Sequence, residues 1–174
     1  ADVQNGDEVA RSVAGHEAVI SAFNPGWNNP DIYNQQVKGS RSIIDGVKKA
    51  GVKRLLFVGG AGSLEVKPGI QSVDLPEFPV EYKQGALATR EALNLLRKEP
   101  SLDWSFLSPS ADLLPGQRTG TFRLGTDQIL DLAGFEFAAP AHEFRHLGIG
   151  GERVGLPAGG EKRVGDGEIG RPFG

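Results

Sequence analysis

The chain has 174 residues, 39% of them hydrophobic and 24% charged, enough for one core of ordinary size and too few for two full domains. A net charge of −3 without any block of like charge gives no basic field for nucleic acid or an anionic membrane, and no stretch approaches the roughly 20 apolar residues of a membrane-spanning helix. Cysteine is absent, so disulfides and thiolate zinc sites are excluded, and a reducing, cytoplasmic setting is expected.

In chain order, Asp2-Val3 reads as the end of a strand, and residues 5–14 as a short helix capped by Asn5 or Asp7 and stopped by Gly15. Residues 17–23 and 52–58 are nearly unbroken apolar runs, the pattern of parallel strands covered by helices. Residues 24–30, dense in Asn, Pro and Gly, form a loop at the carboxyl end of the first strand. A helix over 31–50 follows, with Tyr33, Val37, Ile44 and Val47 on one face and Lys38, Arg41, Lys48 and Lys49 mostly outside it. Residues 59–79 open on Gly-Gly-Ala-Gly, carry Pro68, Pro76 and Pro79, and are long enough to predict a functional loop. A helix over 82–98 buries Ala88, Ala92, Leu95 and Leu96 and leads to a strand over 103–107, and Thr121 to Leu124 add one short strand.

After about Ile129 the periodicity is lost, and 10 of the 27 residues from 148 to 174 are glycine. Such a stretch has little means of burying itself, so a disordered tail is expected, or one read out of the true frame. Strand, helix, strand, helix, strand implies parallel strands joined by right-handed crossovers. The predicted fold is α/β, an incomplete Rossmann-like doubly wound parallel sheet over residues 1–128 with a disordered Gly-rich C-terminal tail over 129–174. The chain opens on alanine and contains no methionine, so its natural start is expected upstream.

Three linked runs carry a family resemblance: Gly15-His16-Glu17-Ala18-Val19-Ile20-Ser21-Ala22, then Lys48 through Val58-Gly59-Gly60-Ala61-Gly62-Ser63, then Leu102-Asp103-Trp104-Ser105-Phe106-Leu107-Ser108-Pro109. In this order they resemble the NAD(P)H-binding atypical short-chain dehydrogenases, a group that includes flavin reductase, biliverdin-IXβ reductase and NmrA-like redox sensors. The resemblance covers residues 1 to 128. That family's Gly-x-x-Gly-x-x-Gly turn has no counterpart here and is expected before Ala1, and its C-terminal portion is not recognisable after Gln128. By that loss the sheet is expected to show an open, uncharged edge rich in Val19, Ile20 and Phe23.

An open α/β sheet binds its ligand at the carboxyl ends of its strands. The resemblance implies that Asp2 and Val3 contact adenine, that Ala22 and Phe23 face the adenosine side, and that Gly59, Gly60 and Ala61 with Ser108, Pro109 and Ser110 lie at the nicotinamide end. The same glycines and prolines also serve simply to end strands. Residues 60–65 follow a strand but lack the third glycine of a dinucleotide fingerprint, because Glu65 stands in its place.

Tyr82-Lys83 sits where short-chain dehydrogenases place Tyr-x-x-x-Lys, whose lysine lowers the tyrosine pKa for proton donation. Four residues after Tyr82 stands Ala86, so that dyad is broken, and Lys83 is left to meet a phosphate or ribose. His142-Glu143-Phe144-Arg145-His146 matches a zinc-protease pattern, but Pro140 and Gly148 leave too little helix to carry it. No metal site is expected, and no catalytic residue is assigned.

The expected function is hydride transfer from NADPH, favoured over NADH by the resemblance, to a flavin or similar flat acceptor bordered by the 60–79 loop and Trp27 or Tyr82. Such chemistry needs aligned rings more than a protein acid. The alternative is a non-catalytic NAD(P)-sensing protein. A small-molecule substrate is the expected partner, and no local pattern speaks to the oligomeric state.

Overall fold

Asn5 can start a helix because its side chain takes amide hydrogens that have no earlier carbonyl to bind. Its Oδ1 accepts from the backbone N–H of Asp7 at 3.0 Å and of Glu8 at 3.3 Å, and helix α1 (Gly6–Val13) runs from there until Gly15, at φ +78°, turns the chain. The computed structural model describes residues 1–111 and 124–130. Within them follow β1 (Ala18–Ser21), α2 (Ile32–Lys49), β2 (Arg54–Val58), β3 (Glu65–Lys67), β4 (Ile70–Gln71), α3 (Val80–Arg97) and β5 (Asp103–Leu107).

Strand β2 lies between β1 and β5, and both pairings are parallel. A parallel neighbour is reached only by a crossover, and successive right-handed crossovers in one direction place their helices on one face. Helix α2 accordingly packs between α1 and α3. The inward strand positions Leu55, Phe57, Trp104 and Phe106 are at most 2% exposed and meet Ile43, Ile44, Val47, Ala92, Leu93 and Leu96 from the helices. Each fully buried Val, Leu, Ile or Phe among them contributes about 1.5–3 kcal/mol. Phe57 and Phe106, register partners on adjacent strands, stack with centroids 5.9 Å apart. On the outer strand β1, Ile20 is 71% exposed, whereas Val19 and Phe23, expected with it at an open edge, are half-buried against the core.

The α/β alternation and the parallel sheet are therefore as expected, and three local readings change. Asp2-Val3 is a turn rather than a strand end: Asp2 accepts from the N–H of Asn5 and Gln4, and its own N–H donates to Glu8, so its backbone serves the helix start. On α2 the buried line is Ile32, Gln36, Ser40, Ile43, Ile44 and Val47, whereas Tyr33 is exposed and Val37 half-buried. Polar residues can enter this line because they are bonded. Gln36 Nε2 donates to the Phe23 carbonyl at 3.1 Å, and Ser40 Oγ to the Gln36 carbonyl at 2.7 Å. The 59–79 segment is not an open loop; Gly69, at φ +77°, closes the β3–β4 hairpin, and Ser72–Asp74 forms a turn of 3-10 helix. Residues 121–123 of the expected short strand and residues 131–174, with the histidine motif, lie outside the described residues, and Leu124 is not in a strand.

Glu99, just beyond α3, ties that helix to the last turn of α2 through Lys48 Nζ at 2.7 Å. Burial by itself would raise this carboxyl, but hydrogen bonds from Lys48 and Ser101 together with the Lys48 charge hold it below its ordinary value of 4.5. A carboxylate with a lowered folded pKa stabilises the protein at neutral pH, and the contribution is lost as pH falls through that folded value. Glu99→Gln is therefore expected to cost about 1 kcal/mol at neutral pH, and urea titrations should show the difference from wild type closing as pH drops below the ordinary carboxylate range.

Gly39 gives a second test. Alanine in a helix interior normally gains about 1 kcal/mol over glycine, but a Cβ here would stand 2.2 Å from Phe23 Cε1. Overpacking of about 1–3 kcal/mol wins. Gly39→Ala should lower the urea midpoint, and adding Phe23→Leu should recover part of the loss.

Candidate functional site

The three parallel strands end side by side, with Ser21, Phe57 and Phe106 in register. One residue beyond β2, the N–H of Gly59 donates to the carbonyl of Leu107 at 2.6 Å, carrying the ladder past the strand itself. That approach requires glycine, because a Cβ on residue 59 would lie 2.0 Å from Phe106 Cε1. The chain then makes a short 3-10 turn, Ala61–Ser63. Ser63 Oγ donates to the Gly60 carbonyl at 3.0 Å and lies 3.3 Å from Ser108 Oγ, with both serines buried.

Gly59, Gly60, Ala61 and Ser108 are thus brought to one place, with Pro109 and Ser110 half-buried beside them. Ala22 and Phe23 follow β1 at the adjacent strand end. The Phe23 ring turns toward α2 and fills the space over Gly39, so the side chain anchors the strand end while Ala22 stays exposed. Asp2 and Val3 sit in the turn before α1, whose first residues pack on the far half of α2 through Gly6 against Ser42 and Asp7 paired with Lys49. Lys83 is half-buried in the first turn of α3.

Sequence reasoning left Ser63 without a role, although a hydroxyl directly after a Gly-rich strand end was a signal for it. The turn is further fixed by Ser72 Oγ donating to the Ala61 carbonyl and Gln71 Nε2 to the Ser63 carbonyl, each at 2.8 Å. This explains why residues 60–65 do not act as a dinucleotide fingerprint: the chain after Ser63 enters a hairpin, so no helix amino terminus is there to meet a pyrophosphate.

Helix α3 closes the other side. Ala86 packs on the bare backbone of Gly62, where an added Cβ would lie 2.9 Å from the alanine methyl, and Thr89 comes nearest to Gly60. The position at which a dehydrogenase lysine would stand is thus taken by a small residue seated on the strand-end turn. An open polar cleft of about 550 Å³ is lined by Tyr33 at the start of α2, by Gln71 and Asp74 at and after β4, and by Arg90, Asn94 and Arg97 of α3, among others. Its Arg90 is engaged with Asp74 at 2.6 Å. The described residues hold no cluster of metal-ligating side chains, and none of their helices is long and apolar enough to cross a membrane.

Strand ends levelled around a glycine turn define a nucleotide-binding α/β protein, and likeness to known proteins makes the class specific. The profile of a family described as NAD(P)H-binding matches residues 1–131, and the chain belongs to that family. YwnB of Bacillus subtilis is 38% identical over 124 residues, a match covering 70% of this chain and 57% of YwnB. A solved structure from Bacteroides thetaiotaomicron, assigned as an epimerase, is 50% identical with a TM-score of 0.68 and is matched over 75% of this chain and 58% of its own. One from Streptococcus pneumoniae, assigned as an NADH-flavin reductase, is 33% identical with a TM-score of 0.62, over 75% of this chain and 61% of its own. The chain therefore spans less than two thirds of each of these relatives.

The contact between Gly62 and Ala86 yields a prediction. Gly62→Ala should destabilise the protein by about 1–3 kcal/mol through overpacking, and Ala86→Gly in the same chain should relieve it. A double-mutant cycle by urea denaturation in which the two changes simply add would show that this contact does not hold the turn against α3.

Proposed function

We propose that the protein is an NADPH-dependent reductase whose acceptor is a flavin or a similar planar aromatic compound. The observation that carries this reading is the union of a levelled strand-end crevice with the loss of the proton-donating dyad at Ala86. Half-buried Gly60 and Ala61 with Ser110 beside them suit the nicotinamide end, since Gly60 carries no side chain to block a ring, and Gly59, its bare side covered by Phe106, and buried Ser108 would line the wall behind them. Ala22 and Phe23 would border the adenosine, Asp2 and Val3 the adenine, and Lys83 a phosphate or ribose. When bound, the reduced nicotinamide supplies a hydride, and the acceptor takes it up with a proton from water.

Ser63 and Ser108 spend their hydroxyls on each other and on the Gly60 carbonyl, which suits a wall that orients a ring rather than one that delivers a proton. Carbonyl reduction demands a protein acid beside the oxygen, whereas flavin reduction demands mainly ring alignment. The name carried by the pneumococcal relative points the same way. A cytoplasmic site of action is part of the reading, since reduced nicotinamide is consumed.

The same missing dyad also suits a protein that binds the dinucleotide and reports its redox state without turnover. Following absorbance at 340 nm with NADPH and FMN or riboflavin separates the two. Consumption of NADPH, faster than with NADH, is the expected result; saturable NADPH binding with no consumption for any flavin would assign the sensing role instead.

A further inference from the structure

The segment between β1 and α2 is mostly exposed and yet densely bonded within itself. The N–H of Gly26, a residue at φ +102°, donates to Asn24 Oδ1 at 2.7 Å. Asn29 Nδ2 donates to the Gln35 side chain at 2.9 Å and to the Pro25 carbonyl at 3.4 Å, and Asn29 Oδ1 accepts from the Asp31 N–H at 2.9 Å. A loop fixed in this way holds one conformation, and what it displays is Trp27, 52% exposed.

The indole is also seated from below. A Cβ at Gly85 would lie 2.5 Å from Trp27 Cζ3 and 3.0 Å from Ile32 Cδ1, so α3 leaves out a side chain where the ring rests. Tyr82, one turn earlier and 39% exposed, meets the indole edge-to-face at 5.4 Å with planes 86° apart, and Val80 beside it is 82% exposed. The result is a right-angled aromatic corner open to solvent. Gly85 holds this corner and the next residue, Ala86, packs on Gly62, so the corner and the strand-end turn flank the same stretch of α3.

We propose that Trp27 and Tyr82 form the acceptor shelf of the proposed reductase, selecting flat heteroaromatic rings over carbonyl or sugar substrates. This rests on the hydride-transfer reading above. A flat ring laid on one wall of a right-angled corner gains a stacked face and an edge contact at once, which a small carbonyl compound cannot use. Rigid aromatics on a braced loop also lose little side-chain entropy on binding.

Tryptophan emission provides a readout independent of turnover, because the second tryptophan, Trp104, is 2% exposed and serves as an internal reference. Riboflavin titrated into the protein without nucleotide should quench the Trp27 emission saturably. Trp27→Leu should abolish that quenching and raise the KM for riboflavin by about tenfold or more, the loss of one aromatic stack, with the NADPH dissociation constant unchanged. Trp27→Phe should keep most of the wild-type KM, and Tyr82→Leu should reproduce the effect of Trp27→Leu in part. Turnover of riboflavin that Trp27→Leu leaves intact would overturn the shelf and spare the reductase. Saturable quenching without any NADPH consumption would keep the shelf and overturn the reductase. A Trp27→Leu variant that changes only the oligomeric state would overturn the shelf as well, since the corner would then be a contact between copies.

Discussion

The ends of β2 and β5 stay level only because backbone comes close to an aromatic side chain where a Cβ would not fit. At Gly59 the chain passes over the ring of Phe106, and that contact lets its N–H reach the Leu107 carbonyl one step beyond the β2–β5 pairing. The ladder then ends level rather than splayed, and the Ala61–Ser63 turn starts from a fixed point. Everything proposed for the site inherits its position from this overlap. Interiors packed at crystal-like density transmit such a constraint instead of absorbing it.

The same device recurs at the three other places where the site meets the helical layer. Phe23 rests over Gly39, Trp27 over Gly85, and the Ala86 methyl over Gly62. In each case glycine within or beside a helix gives up some intrinsic stability so that a neighbouring element can approach. The approach sets where β1 ends, how the loop after it lies, and how near α3 stands to the strand-end turn. A sheet built from these strands without these glycines could keep much of its core, since Leu55, Phe57 and Trp104 pack independently of them, but Phe106 and the strand ends would be displaced.

How much of this was legible in the sequence depends on which signal each part left. The strand runs and helix stops were legible because apolar continuity and positive-φ glycines such as Gly15 and Gly51 act locally. The buried line of α2 was not. Its polar members, Gln36 and Ser40, are admitted only by bonds to Phe23 and to the helix backbone, and hydrophobicity cannot foresee those bonds. The β3–β4 hairpin had a signal in Pro68-Gly69, but three strand residues on one side and two on the other are too few for alternation to show. The reason Ala86 stands four residues past Tyr82 was also invisible, because it lies in Gly62, which is distant in sequence.

That last contact links structure to chemistry. Relatives with this fold bear names as different as epimerase and flavin reductase, so the fold alone does not choose a reaction. What separates such reactions is whether a proton must be delivered by the protein, and here a half-buried alanine seated on a glycine turn stands where the lysine of a dyad would. Contact of Ala86 with Gly62 brings α3 close to the strand-end turn, and the bare backbone of Gly85 next to it is what seats Trp27 on the same helix. The absence of a lysine four residues past Tyr82 and the presence of the Trp27–Tyr82 corner are then two results of one packing arrangement. In the proposed reductase, both features would suit an acceptor that needs a flat surface and takes its proton from water.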